Sequence, residues 1–264
     1  MKYKVDNDLH IHSYLSSCSD DPEQTPEAIL EHAKKYGLKT ICLTDHFWDS
    51  AVPGASEWYA PQDFLHIKKS RPLPQSEGIR FLFGCEADLD KFRTLGIDKS
   101  RFCEFDFIII STTHFHMTGF TLHDEERASA KNRAKAWVER LDAIFDMDLP
   151  FHKIGLAHLA CKLIAPERAE LLEVLSLIPE TEMKRIFTKA AKLGVGIELN
   201  SSDMSFSDDE KDIILKPFKI AKGCGCKFYF GSDAHHPARL CESIEKFQRA
   251  VEALNLTEED KFII

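Results

Sequence analysis

Along the chain, short apolar runs alternate with longer stretches whose apolar positions recur at helical spacing. The first run, "KVDNDLHIH", reads as a strand, and "TPEAILEHAKKYG" after it as a helix. Thr25 suits the N-cap of that helix, Pro26 its first position and Gly37 its stop, with Ala28, Ile29, Ala33 and Tyr36 as the apolar stripe. "KTICLTDH" is a second strand, too short and too rich in β-branched residues for a helix. Residues 50 to 78 are rich in Pro and read as a long excursion with one short helix. "IRFLFGCEADL" and "FDFIIISTTH" are the third and fourth strands. A long helix is expected from about Glu125 to Phe145, then "KIGLAHL" as a fifth strand and two helical stretches ending at "KLG". "VGIELNS" is the sixth strand, and Ser207 with Glu210 forms a capping box for a helix through about Lys222. "KFYFGSDAHH" is the seventh, followed by a last helix from about Leu240 to Leu254.

Seven strands alternating with helices imply parallel βα units. No linker, low-complexity segment or repeat divides them, so one domain spanning 1–264 is expected. The expected fold is α/β, a TIM-like barrel of about seven strands, with a doubly wound open sheet as its competitor. The polar residues favour closure. His10 and His12 end the first strand, Asp45 and His46 the second, and Glu86 the third. His114 follows the fourth, His158 the fifth, Asn200 the sixth, and Asp233 with His235 the seventh. A barrel brings the carboxyl ends of all its strands to one mouth, whereas an open sheet keeps its two edge strands apart. In a strand, i and i+2 share a face, so His10 and His12 should project together, with Leu9 and Ile11 turned the other way. His with Asp and Glu, converging, is the composition of a transition-metal site. His32, His66, His123 and His152 fall in helices or loops and read as solvated or locally bonded side chains.

Composition narrows the function classes. With 34 Lys and Arg against 43 Asp and Glu, the net charge is −9, which leaves no global basic footprint for nucleic acid. No run approaches the ~20 apolar residues of a membrane span. The N-terminus lacks the apolar stretch of a signal peptide. The eight cysteines then read as reduced thiols, and a cytoplasmic location is expected. Cys224 and Cys226 have no second Cys pair to complete a zinc site.

The six motifs "DLHIHS", "LTDH", "GCEADL", "STTH", "GLAHL" and "GSDAHH", in this order and over essentially the whole chain, resemble the PHP (polymerase and histidinol phosphatase) family of metal-dependent phosphoesterases. The resemblance implies a distorted (β/α)7 barrel with three divalent transition-metal ions, for which Zn, Mn and Fe all fit the ligands. Carried over position by position, His10, His12, Glu86 and Asp233 would hold the first ion, and Asp20, His46 and His235 the second. Glu86 would bridge to a third ion on His114 and His158. Asp20 is preferred for the loop position over Asp21, and Cys18 is left out as too soft a ligand. Three divalent ions bring six positive charges against Glu86, Asp20, Asp233 and one hydroxide, leaving about two for a phosphate dianion.

The expected reaction is hydrolysis of a small phosphomonoester, with histidinol phosphate the best single guess, by attack of a metal-bound hydroxide at phosphorus. Glu86, Asp233 and His235 are the expected catalytic residues; no residue identifies itself as the general acid. Arg239, His116 and Arg127 are candidates to meet the substrate. Asp45 either orients a ligand imidazole or caps the turn after it. The loop with Phe47, Trp48, Trp58 and Tyr59 either buries its own aromatics or walls the substrate. The alternatives are a phosphodiesterase or nuclease, a protein-tyrosine phosphatase of the same family, and an amidohydrolase-type C–N hydrolase. Oligomeric state is not legible.

Overall fold

A computed structural model describes residues 1–19 and 21–264. Eight parallel strands form one sheet: β1 (Asn7–Ile11), β2 (Thr40–Leu43), β3 (His46–Phe47), β4 (Arg80–Asp88), β5 (Phe107–Ser111), β6 (Ile154–Leu156), β7 (Gly196–Asn200) and β8 (Lys227–Gly231). Their order is β1-β2-β4-β5-β6-β7-β8, and β3 pairs with β4 beyond the end of β2. The second expected strand is therefore present in two pieces, interrupted at Thr44 and Asp45. The helices are α1 (Pro26–Tyr36), α2 (Phe64–Ile67), α3 (Asp124–Arg127), α4 (Ala130–Phe145), α5 (Arg168–Leu177), α6 (Glu180–Leu193), α7 (Lys211–Gly223) and α8 (Pro237–Leu254). Among the described residues no helix is long and apolar enough to cross a membrane.

The sheet curls until its edges meet, as a TIM-like barrel requires. Ile11 bridges Ala234, the His12 N–H donates to the Ala234 carbonyl at 3.1 Å, and the Asp233 N–H donates to the His10 carbonyl at 2.8 Å. Lower down, side chains replace the ladder. Asn7 Oδ1 accepts from the Phe230 N–H at 3.0 Å, and Asp8 Oδ1 from the Ser232 N–H at 2.9 Å. Leu9, Cys42, Leu82, Phe107, Ile109, Ala157 and Tyr229, drawn from around the barrel, pack together with Phe262. This apolar plug lies beneath the polar side chains at the carboxyl ends of the strands.

Several local expectations are corrected. Leu9 and Ile11 do not share a face. The β1–β2 register slips between Asp8 and Ile11, so Leu9 joins the plug while Ile11 packs against Ile29, Leu30 and Ala33 of α1. The helix expected from Glu125 to Phe145 breaks into α3 and α4, because the Ser129 hydroxyl accepts from the Asn132 N–H and starts a new helix. The Ser207–Glu210 capping box does not begin a helix. Glu210 accepts from the Ser207 N–H at 2.9 Å within a turn and also from Arg168, and α7 starts at Lys211. The last helix begins at Pro237, earlier than expected, because His236 caps it through the Ala238 N–H. Residues 50 to 78 hold α2 and a following 3-10 turn, as the sequence suggests.

Candidate metal centre

The strand ends deliver their polar side chains to one buried cluster around Glu86. Strand pairing sets His46 directly opposite Glu86, and His46 Nδ1 stands 2.8 Å from Glu86 Oε2. On the same carboxylate, His10 Nε2 lies at 3.5 Å, His12 Nε2 at 3.4 Å, His158 Nε2 at 3.0 Å and His114 Nε2 at 3.7 Å. Asp233 Oδ1 closes the near side, 3.5 Å from His10 Nε2 and 3.2 Å from His12 Nε2. His235 stacks on His12 with ring centroids 4.0 Å apart.

Hydrogen bonds on the far side of each ring fix its tautomer. His10 Nδ1 reaches Glu198 Oε1 at 2.7 Å, and His114 Nδ1 reaches Asp88 Oδ2 at 2.8 Å. Carboxylates only accept, so both Nδ1 atoms carry hydrogen. His235 Nδ1 donates likewise to the Asp233 carbonyl at 2.9 Å. His158 Nδ1 meets Thr113 Oγ1 at 2.9 Å while that hydroxyl donates to the His158 carbonyl, so the ring is again the donor. His12 Nδ1 meets Ser16 Oγ at 2.9 Å, and the same oxygen donates to Asp45 Oδ1 at 2.7 Å and accepts from the His46 N–H. Five imidazoles thus turn Nε2 inward, the orientation that metal-binding histidines owe to such partners. Asp45 takes the first of the two roles expected of it, steadying His12 through Ser16. The turn it holds is the one after β1, where it accepts from the Ser13 N–H and hydroxyl, and not the one that follows Asp45 itself.

Backbone strain is concentrated here. His158 and Asp233 adopt φ of 35° and 53°, left-handed values rare outside glycine. Each is anchored through its amide, His158 to Glu198 Oε2 at 2.7 Å and Asp233 to the His10 carbonyl. Glu198 therefore ties a ring from β1 to the backbone after β6. It needs Gly231 beside it, where a Cβ would collide with Glu198 Oε1 and lie 2.6 Å from the His10 Cβ.

The donor set fits divalent ions. Three groups bring ligand atoms within 4.8 Å of one another: His10, His12 and Glu86; His12, His46 and His235; and Glu86, His114 and His158. Ligands at ~2.0–2.1 Å from a tetrahedral ion stand about 3.3 Å apart, and the spacings of His10, His12, Glu86 and Asp233 bracket that value. Glu86 Oε2 and His46 Nδ1 are buried without a hydrogen bond. Charge points the same way. Burial would lower His12, yet Asp233 and Glu86 raise it to about 9, and Glu198, Asp233 and Glu86 raise His10 well above its ordinary value. Against its own burial, Glu86 is held well below the usual carboxylate range by His46 and His10. His46 and His235 are shifted the other way, by burial and by their imidazole neighbours, so the pull toward positive charge is centred on His10 and His12, beside Glu86 and Asp233.

The expected residues fall as follows. His10, His12, His46, Glu86, His114, His158, Asp233 and His235 converge; Asp20 lies outside the described residues. Asp21 is turned elsewhere, pairing with His236 Nε2 at 2.8 Å. The Cys18 thiol lines the mouth, and burial with the nearby Glu86 and Asp233 pushes it up to about 12, so it stays protonated. Among the described residues Cys224 and Cys226 join no metal-type group; Cys226 Sγ lies 3.2 Å from the Phe187 carbonyl. His116 and Arg239 line the open cavity above the cluster, but Arg127, at the end of the short α3, does not. In the aromatic loop, Phe47 and Trp48 are buried, while Trp58 and Tyr59 line the cavity, Trp58 edge-on to His46 at 4.9 Å.

Sequence reasoning missed Glu198, Asp88, Ser16 and Thr113. One signal was available: Glu198 is a charged residue inside an apolar strand, on the same face as Asn200.

Comparison with known proteins agrees with this geometry. A "Probable phosphatase" of Caldicellulosiruptor bescii is 25% identical over 224 residues, covering 83% of this chain and 77% of that protein. Among solved structures, the histidinol phosphate phosphatase of Lactococcus lactis subsp. lactis Il1403, complexed with zinc, L-histidinol and phosphate, superposes with a TM-score of 0.62. It is 19% identical, over 98% of this chain and 99% of that one, a likeness of fold. The PHP domain profile matches residues 8–202, most of the chain, and the protein belongs to that family.

Proposed function

We propose that the metal-dependent phosphatase chemistry of this PHP chain is hydrolysis of a small phosphomonoester at a centre of three divalent ions. The observation that carries the reading is Glu86, one carboxylate set among five imidazole nitrogens at 2.8 to 3.7 Å. His10, His12, Glu86 and Asp233 would hold one ion. His46, His235 and Asp20 would hold a second, with His12 near enough to share it, and Glu86, His114 and His158 a third. When bound, such ions supply Lewis acidity at the phosphoryl oxygens and make water acidic enough to act as the nucleophile.

The remaining work falls to side chains. Water is consumed, the P–O bond to the leaving group breaks, and an alcohol and inorganic phosphate depart. Glu198, Asp88, Thr113 and Ser16 keep the imidazoles turned inward. Trp58 and Tyr59 wall the leaving group, and His116 and Arg239 reach it from the rim. The plug beneath closes the site from below. A net charge of −9 disfavours nucleic acid as the substrate. Histidinol phosphate is the first specific ester to test, since the Lactococcus protein of the same fold is complexed with L-histidinol and phosphate.

The test is purification with metal content measured, followed by assays on p-nitrophenyl phosphate, bis-p-nitrophenyl phosphate, histidinol phosphate, a phosphotyrosyl peptide and short oligonucleotides. Monoester hydrolysis that disappears on chelation and in His10→Ala is the expected result. Activity confined to the diester or the oligonucleotides would overturn the reading.

A further inference from the structure

The cavity above the cluster has a volume of about 780 Å³ and is lined by two unlike sets of residues. One is apolar, with Trp58, Tyr59 and Met117. The other carries Lys162, four residues past His158, together with Arg239, Glu242 and Lys246 of α8. Positions 239, 242 and 246 follow helical spacing and share one face, which the helix turns toward the cavity. Lys246 stands ~10 Å along the axis from Arg239. Arg239 donates to Glu242 at 3.1 Å. Among the described residues, neither Lys162 nor Lys246 forms an ion pair. Apart from Asp233 of the cluster itself, three cations and one carboxylate therefore line the cavity, in a chain whose overall charge is −9.

That surplus lies at the rim, outside the cluster whose ions would neutralise the scissile phosphate. An amine on the leaving group would meet repulsion there; an acid would meet attraction. We infer that these charged residues form a second anion site, which takes a phosphate or carboxylate carried by the leaving group. The substrate is then a phosphomonoester with a second acidic group rather than an aminoalcohol phosphate. The inference rests on the phosphomonoesterase reading, though not on histidinol phosphate as the ester.

A matched series tests it on the metal-loaded, full-length enzyme. The substrates are phenyl phosphate, 4-carboxyphenyl phosphate, hydroquinone bisphosphate and 4-(aminomethyl)phenyl phosphate. The expected result is a roughly tenfold higher kcat/KM for the acidic esters over phenyl phosphate, expressed mainly in KM and shrinking as salt is added. The aminomethyl ester should be the poorest. Comparing the carboxylate with the bisphosphate decides which acid the site prefers. In Lys162→Gln/Lys246→Gln the preference should collapse toward unity, and in Lys162→Glu/Lys246→Glu it should pass to the aminomethyl ester. The readout is a ratio within one preparation, so partial misfolding of a variant cancels. Hydrolysis of phenyl phosphate without a preference for the acids, or a preference that survives in both double variants, overturns the inference alone. Hydrolysis of none of the four by the wild type overturns the phosphomonoesterase reading and this inference with it.

Discussion

The inner cluster and the outer rim of the same cavity are built on opposite principles. Inside, five imidazoles have their second nitrogen tied by a hydrogen bond, four of them to a buried partner, and the nearest backbone is strained and anchored. At the rim, Lys162 and Arg239 are exposed, and among the described residues the Arg239 side chain bonds only to Glu242, three residues along its own helix. The contrast teaches where each kind of work is done. Chemistry that needs atoms held to a fraction of an ångström is placed on rigid strand ends. Discrimination between leaving groups can rest on charges that water screens and that substitution moves at little cost in stability.

The contrast can be attacked from its strongest side first. Chelation, or His10→Ala, should remove detectable phosphatase activity and lower the metal content measured by mass spectrometry. Retained activity in the metal-stripped protein would mean that the inner cluster is not the reaction centre. Next in size are the residues behind the ligands. Glu198→Gln should weaken metal binding by roughly 10- to 100-fold, read by competition with a chelating dye. Gly231→Ala should behave similarly, because its Cβ displaces the same carboxylate. Unchanged affinity in both would show that the inner cluster tolerates loose support.

A smaller effect concerns protons. Without metal, His12 holds a second proton up to about pH 9, because Asp233 and Glu86 outweigh the burial that would lower it. Metal must displace that proton. Uptake at pH 7 should therefore release protons, and apparent affinity should rise with pH until about 9. Calorimetry in two buffers of different ionisation enthalpy measures the release; buffer-independent heats would contradict it. Smallest of all, Lys162→Gln should leave thermal stability within about 0.5 kcal/mol while shifting the choice among esters. A large fall in Tm would mean that the rim is structural after all.

Much of the inner cluster was legible because parallel strands read as continuous apolar runs and barrels collect function at their carboxyl ends. "HIH", "LTDH" and "GSDAHH" announce themselves by where the apolar run stops. Their supports do not. Glu198 meets His10 across 188 positions of sequence, a relation that no local pattern encodes. The slip in β1 was equally hidden: alternation assigns Leu9 and Ile11 to one face, and only the pairing with β2 separates them. The break before α4 is a different case: helical periodicity runs on past residue 129, and only the hydrogen bond from the Asn132 N–H to the Ser129 hydroxyl marks the new start. The rim lay beyond local reading, because Lys162 and Lys246 meet only through the packing of α8 beside the barrel mouth.

The seam between β1 and β8 has a consequence for how the protein comes into being. The profile match stops at residue 202, yet Asp233 and His235 arrive just after the last strand, where the Ser232 hydroxyl is stitched to β1 by a hydrogen bond that spans 222 positions. Until that strand docks, a nascent chain emerging from the ribosome presents a half-assembled nest of histidines with its far wall missing. Contacts this distant in sequence form slowly. A cation arriving early would find an incomplete set of donors, whereas one arriving late would fasten the first strand to the last. Metal supplied during synthesis should therefore act as a clasp that rewards completion of the ring.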